Sequence, residues 1–307
     1  AKRALPTISP LDMPRHAVNE ASHARKAKFS SHDIVTFLAR LFVLICTIGL
    51  SWYGATEMYS VLSTNAIAGL QWLFLVLFCI NFTWISFAFS QATLGLLYQL
   101  WPFSGRRKEL DVEGVTAILL PVYNEDPSRI RANIQAMHED IVKQASGKFA
   151  FFILSDTNKA DAWVAEEQAF HSLLNDDSAA CPIFYRRRYD NAERKAGNIA
   201  EWVTHFGNDY ECMIVLDADS LMGAECLISL TRRMSAVASL GLIQTLPTII
   251  RADTLYSRIQ QFANHCFGPI YASGLAAWHG GSSNFWGHNA IIRTKAFADA
   301  CGLPVLA

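Results

Sequence analysis

Between Leu70 and Ser90 the sequence LQWLFLVLFCINFTWISFAFS carries no charged residue. That length matches the ~20 residues an α-helix needs to cross the hydrocarbon core of a bilayer, so whatever else the chain folds into hangs from a membrane helix. A second apolar stretch, Ile34 to Tyr53, contains Arg40 as its one charge. That guanidinium must snorkel toward the basic flank or face another helix. A cleaved signal peptide does not fit, because the first apolar run begins far into the chain and lacks a small-residue cleavage pattern.

Arg15, Arg25, Lys26 and Lys28 precede the first span, and Arg106, Arg107 and Lys108 follow the second, while the connector from Glu57 to Asn65 has no basic residue. Basic flanks stay on the cytoplasmic side, so residues 34–100 read as a two-helix transmembrane hairpin with both ends in the cytoplasm. Trp52, Tyr53, Trp72 and Trp101 fall near predicted span ends, where amphipathic rings prefer to sit; packing between helices is the other reading. Residues 1–33, broken by Pro6, Pro10 and Pro14, read as a largely disordered cytoplasmic tail, and 101–114 as a linker. A formal net charge of -1 argues against a nucleic-acid partner, which needs a basic face. The seven cysteines are odd in number and include no C-x-x-C pair; Cys46 and Cys79 fall in the membrane spans and the rest read as cytoplasmic thiols, none with an assigned role.

From residue 115 to 307 the pattern changes to alternating strands and helices. Strands are expected at Val115–Val122, Phe149–Ser155, Ile183–Arg186, Cys212–Leu216 and Gly241–Thr245. Helices are expected at Pro127–Val142, Ala160–Leu174, Glu193–Phe206 and Ala224–Ala238, with a further helical pattern over Thr294–Ala300. Such alternation predicts an α/β fold with a doubly wound, mostly parallel sheet and right-handed crossovers.

In Cys212-Met213-Ile214-Val215-Leu216-Asp217-Ala218-Asp219-Ser220 a buried strand runs into two carboxylates one residue apart. Past the strand end Asp217 and Asp219 can converge on a hard divalent cation such as Mg²⁺ or Mn²⁺, with diphosphate oxygens and water completing its shell. Ordinary turn aspartates are the alternative. Asp156 closes a second strand in the same way, and ligands of open α/β sheets sit beyond such strand ends. Lys195 lies in a helix opened near Asn191, where its ammonium and the positive helix end can reach a diphosphate, or where it is simply solvated. The run Arg186-Arg187-Arg188 reads as a solvated charge cluster, as a phosphate screen, or as a face toward anionic lipid. Gly280-Gly281-Ser282-Ser283 reads as a loop whose glycines allow close approach to a ligand, ahead of Trp286, which is placed to stack on a sugar ring or to pack in the loop. Leu255, Ile259, Phe262, Cys266 and Ile270 recur at helical spacing, interrupted by Gly268-Pro269, as a membrane-facing or a core stripe.

Five ordered segments resemble an inverting, processive family-two glycosyltransferase with a membrane-anchored cytosolic domain: Leu119-Leu120-Pro121-Val122-Tyr123-Asn124-Glu125, Ser155-Asp156, Arg194-Lys195-Ala196-Gly197-Asn198, Asp217-Ala218-Asp219 and Gly287-His288-Asn289. Cellulose and hyaluronan synthases share this plan. Phe151 to Asn158 and Phe285 to Arg293 look most like the glucans biosynthesis glucosyltransferase H group, which makes the backbone of osmoregulated periplasmic glucans in Gram-negative bacteria. The resemblance implies a nucleotide-sugar glycosyltransferase A-like fold at the bacterial inner membrane, multi-pass, with the catalytic domain in the cytoplasm. It implies transfer of glucose from UDP-glucose to a growing β-glucan acceptor, with the lipid bilayer and other subunits of a synthesis and export system as candidate partners.

By the same resemblance, Asp219 ligates the metal, Asp217 sits beside the ribose or metal, and Asp156 contacts the uridine. Pro121, Tyr123 and Glu125 wall the base, and Lys195 meets the diphosphate. Trp286 and His288 face the acceptor, although His288 departs from the threonine common there. An interfacial helix is expected near 255–270. The general base is expected beyond Ala307, in a T-E-D-like motif, so no catalytic base is assigned within these residues. A lipid-linked sugar or nucleotidyl transferase, or a catalytically idle UDP-sugar sensor, remains an alternative use of the same acidic site.

Overall fold

A computed structural model describes residues 5–15, 31–64, 68–100, 114–145, 147–174 and 181–302. It divides into two compact units, one built from residues 1–23, 107–245 and 284–307, the other from residues 24–106 and 246–283. Trp101, the basic residues from Arg25 to Lys28 and from Arg106 to Lys108, and the last five residues fall outside the described set.

The first unit is a six-stranded sheet. Its strands are β1 (Thr116–Val122), β2 (Phe149–Ser155), β3 (Ile183–Arg187), β4 (Cys212–Val215), β5 (Leu242–Gln244) and β6 (Ala290–Arg293), in the order β3-β2-β1-β4-β6-β5. The pairings β1–β2, β2–β3 and β1–β4 are parallel, whereas β6 runs antiparallel to both β4 and β5. Side chains alternate across a strand with period two. Ile118, Leu120, Phe151 and Ile214 accordingly point into one core cluster, with Ile134 of α3 (Pro127–Gln144), Phe170 of α4 (Ala160–Leu174) and Leu227 of α6 (Ala224–Ala236). Leu119, Phe152 and Val215 point into the other, with Trp202 of α5 (Arg194–Phe206) and Ala298 of α8 (Thr294–Ala300). Helices thus cover both faces, as a doubly wound sheet requires.

Two sequence expectations change here. The strand near 241–245 does not continue the parallel series beside β4; β6, which the pattern did not mark as a strand, takes that place and carries β5 at its outer edge. Residues 5–15, expected as part of a disordered tail, lie along the sheet unit. The Ser9 N–H donates to the His205 carbonyl (2.8 Å), the Asn208 N–H donates to the Ser9 carbonyl (3.2 Å), and the Ser9 hydroxyl donates to Asp209 (2.6 Å). Leu11 and Met13 pack against the α5 side of the core. Proline denies this stretch a regular ladder, but backbone groups of the strap still find partners.

The second unit holds α1 (Ser31–Leu62), α2 (Gly69–Leu100) and α7 (Leu255–His279). Ile34–Leu62 and Gly69–Leu100 are both long and apolar enough to cross a membrane. The helices outrun the expected spans, so Trp52 and Tyr53 stand within α1 instead of at its end. Large apolar side chains point outward, among them Trp52 (73% exposed) and Trp84 (76%). Arg40 faces another helix: its Nε donates to the Trp278 carbonyl at 2.9 Å, and its Nη2 reaches the His279 carbonyl, at the C-terminus of α7, where orphan carbonyls and the helix dipole favour a cation. Gly95 of α2 and Gly274 of α7 make a close crossing. A Cβ on either would collide with the opposite backbone, at Ile270 and Gln91 respectively.

α7 runs unbroken through Gly268-Pro269, and its stripe is not a core stripe. Leu255 (78%), Ile259 (57%) and Phe262 (66%) are exposed. Gly280, expected to make room for a ligand, instead caps α7 at φ 59° and lies so close to Thr36 of α1 that a Cβ would clash.

Candidate active site

β1 is flanked by β2 on one side and β4 on the other, the chain running outward from β1 through β2 to β3 and then crossing back to β4, so the strand order reverses between β1 and β4. A crevice opens at such a switch point beyond the carboxyl ends of the strands. There a cleft of about 860 Å³ is walled by the turns after β1, β2 and β4 and by the start of α5.

The first wall is the turn Tyr123 to Asp126. Asn124 adopts φ 57°, a left-handed conformation that asparagine tolerates better than most residues. Its N–H donates to Thr157 Oγ1 at 3.1 Å and its side-chain amide to Asn158 Oδ1 at 3.1 Å. Thr157 in turn donates to Oε2 of the buried Glu166 at 2.6 Å. The Tyr123 N–H donates to Glu125 Oε2 at 2.8 Å. Burial pushes the Glu125 carboxyl above its usual 4.5, against the pull of the Tyr123 N–H and with Asp219 adding to the rise. Asp126 then accepts from the Ser128 N–H and starts α3 with Pro127 in its first turn.

The second wall is Asp156, 5% exposed, whose N–H extends the ladder to the Val122 carbonyl (2.8 Å). Each arginine of the run beside it has a partner in another element. Arg186 donates to the Asn198 side chain and carbonyl and pairs with Glu201 at 3.2 Å. Arg187 lies 3.8 Å over the Trp163 ring and 4.5 Å over Tyr189. Arg188 forks onto Asp156, Nε to Oδ1 and Nη2 to Oδ2 (3.0 Å). Neither a solvated cluster nor a lipid-facing patch describes these side chains.

The third wall joins β4 to α5. Glu193 and Arg194 both have positive φ, 57° and 51°, at about 1–2 kcal/mol for each residue of this kind, and so turn Lys195 inward. Its ammonium donates to Asp217 Oδ1 at 2.5 Å and to the Gly287 carbonyl at 2.9 Å. Gly287 sits at φ 94°, where a side chain would be strained. The neighbouring loop hangs on Gln244, whose side chain donates to the His288 carbonyl (3.0 Å) and accepts from the Trp286 N–H (3.0 Å).

Asp217 Oδ2 remains open to the cleft, 3.8 Å from His288 Nδ1, and Asp219, which also lines the cleft, engages Asn133 through its backbone carbonyl alone among the described hydrogen bonds. Among the described residues no group of three or more His, Cys, Asp or Glu side chains is placed to hold an ion by itself. Two carboxylates fit a Mg²⁺- or Mn²⁺-type ion only when a diphosphate supplies further oxygens.

Pro121, Tyr123, Glu125, Asp156, Lys195, Asp217 and Asp219 all line this one cleft. Trp286 and His288 do not line it; His288 borders it through Asp217, and Trp286 stands half exposed on the adjoining loop. Sequence reasoning missed Arg129, Asn191 and Arg194 in the cleft wall. Arg129 was findable as a first-turn residue of the helix opened by Pro127, and Arg194 as the neighbour of Lys195. Gln244 gave no signal, because its partners lie over 40 residues away.

The sequence profile of glycosyl transferase family 2 matches residues 117–300. A glucans biosynthesis glucosyltransferase H of Bradyrhizobium diazoefficiens is 41% identical over 98% of this chain and 41% of its own length. One of Xanthomonas campestris pv. campestris is 41% identical over 98% of this chain and 48% of its own. The chain therefore spans about half the length of the curated relatives it matches. Among solved structures, the mannosyltransferase PcManGT from Pyrobaculum calidifontis, in complex with GDP-Man and Mn²⁺, aligns with TM-score 0.41 at 15% identity over 67% of this chain and 53% of its own.

Proposed function

The chain belongs to glycosyl transferase family 2, and on that premise we propose that it forms the donor-binding part of a membrane-bound inverting glucosyltransferase that moves glucose from UDP-glucose to a growing β-glucan. The observation that carries this reading is the convergence of Asp156, Lys195, Asp217 and Asp219, from two strand ends and one helix start, on a single cleft. The glucan product rests on the relatives' names, and the inner-membrane location on the two apolar helices.

In this reading Tyr123, Glu125 and Pro121 flank the base, and the Asp156 carboxylate accepts from its N–H edge. Asp219 and Asp217 hold Mg²⁺ or Mn²⁺, which when bound neutralises charge growing on the leaving diphosphate. Lys195, now on Asp217, is within reach to donate to the same diphosphate. The 286–288 loop, fixed by Gln244, presents Trp286 and His288 to the acceptor side. Removing the acceptor hydroxyl's proton needs a general base within hydrogen-bond reach. The reading gives that task to none of the cleft's carboxylates, since Asp156 is forked by Arg188, Asp217 and Asp219 serve the cation, Glu125 holds the Tyr123 N–H, and Asp126 caps α3 through the Ser128 N–H.

Calorimetric titration of the detergent-solubilised chain tests this. UDP and UDP-glucose bind with Mg²⁺ or Mn²⁺, Asp219→Ala loses the metal-dependent part, roughly 10–100-fold, and Asp156→Ala weakens binding even without metal. Wild-type affinity in Asp219→Ala places the site elsewhere. Accumulation of a lipid-linked sugar instead of water-soluble glucan in cells bearing the whole protein replaces the glucan reading.

A further inference from the structure

We propose that Arg188 is a positioning residue that fixes the two ends of the donor cleft relative to each other and, through Asp156, enforces selection for a base presenting an N–H. The inference rests on the nucleotide-sugar reading above.

Along β3 and just past it, alternate residues face opposite sides of the sheet. Arg187 goes to Trp163 of α4, while Arg186 and Arg188 go to the α5 side. Arg188 is anchored by its own N–H to the Ser155 carbonyl at 3.1 Å. Its side chain is 9% exposed; it borders a neighbouring hollow with Lys195 and Gly287 but does not line the donor cleft, so on that cleft it acts through Asp156 and the Arg194 turn. One edge of the guanidinium takes both oxygens of Asp156. Nη2 also donates to the Arg194 carbonyl at 2.7 Å, within the left-handed Glu193–Arg194 turn that aims Lys195 at Asp217. One planar group therefore ties the base-facing carboxylate to the turn bearing the phosphate-facing ammonium.

Arginine is required by this geometry. A guanidinium offers several donors in a rigid fork, whereas an ammonium is a point charge on a flexible stem and cannot hold a carboxylate bidentately while bonding a carbonyl. An ionised carboxylate only accepts. Pinned in place, it pairs with a ring nitrogen that carries a proton, as uracil N3 does, and opposes one that presents a lone pair, as cytosine N3 does. Without Arg188 the carboxylate is free to turn, and the difference between the two bases narrows.

The test titrates UDP and CDP, with Mg²⁺, into the full chain bearing wild-type sequence, Arg188→Met, Arg188→Lys or Asp156→Asn, with thermal melts alongside. Arg188→Met is expected to weaken UDP roughly 10-fold or more and to lower the UDP:CDP ratio. Arg188→Lys restores the melt without restoring the ratio, and carries the test by itself if Arg188→Met does not fold. Combining Arg188→Met with Asp156→Asn costs less than the sum of the two, because they remove one interaction. Wild-type UDP affinity in a folded Arg188→Met, or equal loss of UDP and CDP with the ratio intact, overturns the positioning role. Failure of the wild-type chain to bind any nucleoside diphosphate overturns the functional reading and this inference with it; binding that depends on Asp156 but not on Arg188 overturns this inference alone.

Discussion

Trp202 in the sheet unit is 0% exposed, with its ring 5.2 Å from Phe152 and 5.5 Å from Tyr210, whereas Trp84 on α2 is 76% exposed. The contrast runs through both units. Strands β1, β2 and β4 bury nearly every apolar side chain between two helix layers. The helices α1 and α2 turn most of theirs outward and bury, beside a few apolar residues such as Val43 and Leu94, small or polar groups such as Ala39, Thr47, Ser86 and Ser90. In water the apolar side chain drives the core. In lipid, where the surroundings are as apolar as leucine, close backbone approach and buried hydroxyls do that work. The same residue type thus marks a core in one unit and an outer surface in the other.

The sharpest way to break that contrast is to truncate both tryptophans. Trp202→Ala is expected to lower the stability of the sheet unit by about 3–5 kcal/mol, read as loss of its cooperative thermal transition. Trp84→Ala in detergent is expected to fall within about 0.5 kcal/mol. A large loss at Trp84 would mean that its face is covered by protein.

A smaller effect is expected at the helix crossing. Gly274→Leu forces a side chain against the Gln91 carbonyl, and overpacking of this kind costs about 1–3 kcal/mol. Detergent-titrated unfolding of the α-helical signal measures it, and Gly49→Leu, where nothing lies within 4 Å of the added carbon, is the control.

The smallest effect concerns acid stability of the sheet unit. Asp140 Oδ2 accepts from the Ala224 N–H at the start of α6 (2.8 Å), which lowers its carboxyl below 3.8. A depressed carboxyl contributes stability that is fully present above 3.8 and is lost as pH falls toward its folded value. Asp140→Asn is therefore expected to lower the neutral-pH melt slightly and to flatten the last part of the acid-unfolding profile, the variant converging with wild type once the carboxyl is protonated. A profile identical to wild type means that water serves the Ala224 N–H equally well.

The strands β1, β2 and β4 were legible because alternation and apolar runs are local signals, as were the acidic strand ends. What escaped depended on partners distant in sequence. Ala290–Arg293 is four residues long, and its pairing with β4 is set by residues near 212. The 25-residue α7 between β5 and β6 hid their antiparallel pairing. Three consecutive arginines look like a solvated run because their partners, Glu201, Trp163 and Asp156, lie in other elements. Pro269 looked like a break, yet a helix held by packing on one face tolerates a missing N–H, and the Ser273 hydroxyl bonds the Pro269 carbonyl at 2.8 Å.

The strap at Ser9 has a consequence in time. Its carboxylate partner Asp209 is 200 residues further on, so at roughly 5–20 residues per second the ribosome delivers it on the order of tens of seconds later. β5 waits as well, since its one neighbour in the sheet is β6, and Gln244 pairs with Ala290. From its own synthesis until β6 follows, β4 presents an open strand edge of the sort that recruits other chains. β6 follows both apolar helices and α7 in the chain, so the β4 edge is closed only after they have been made.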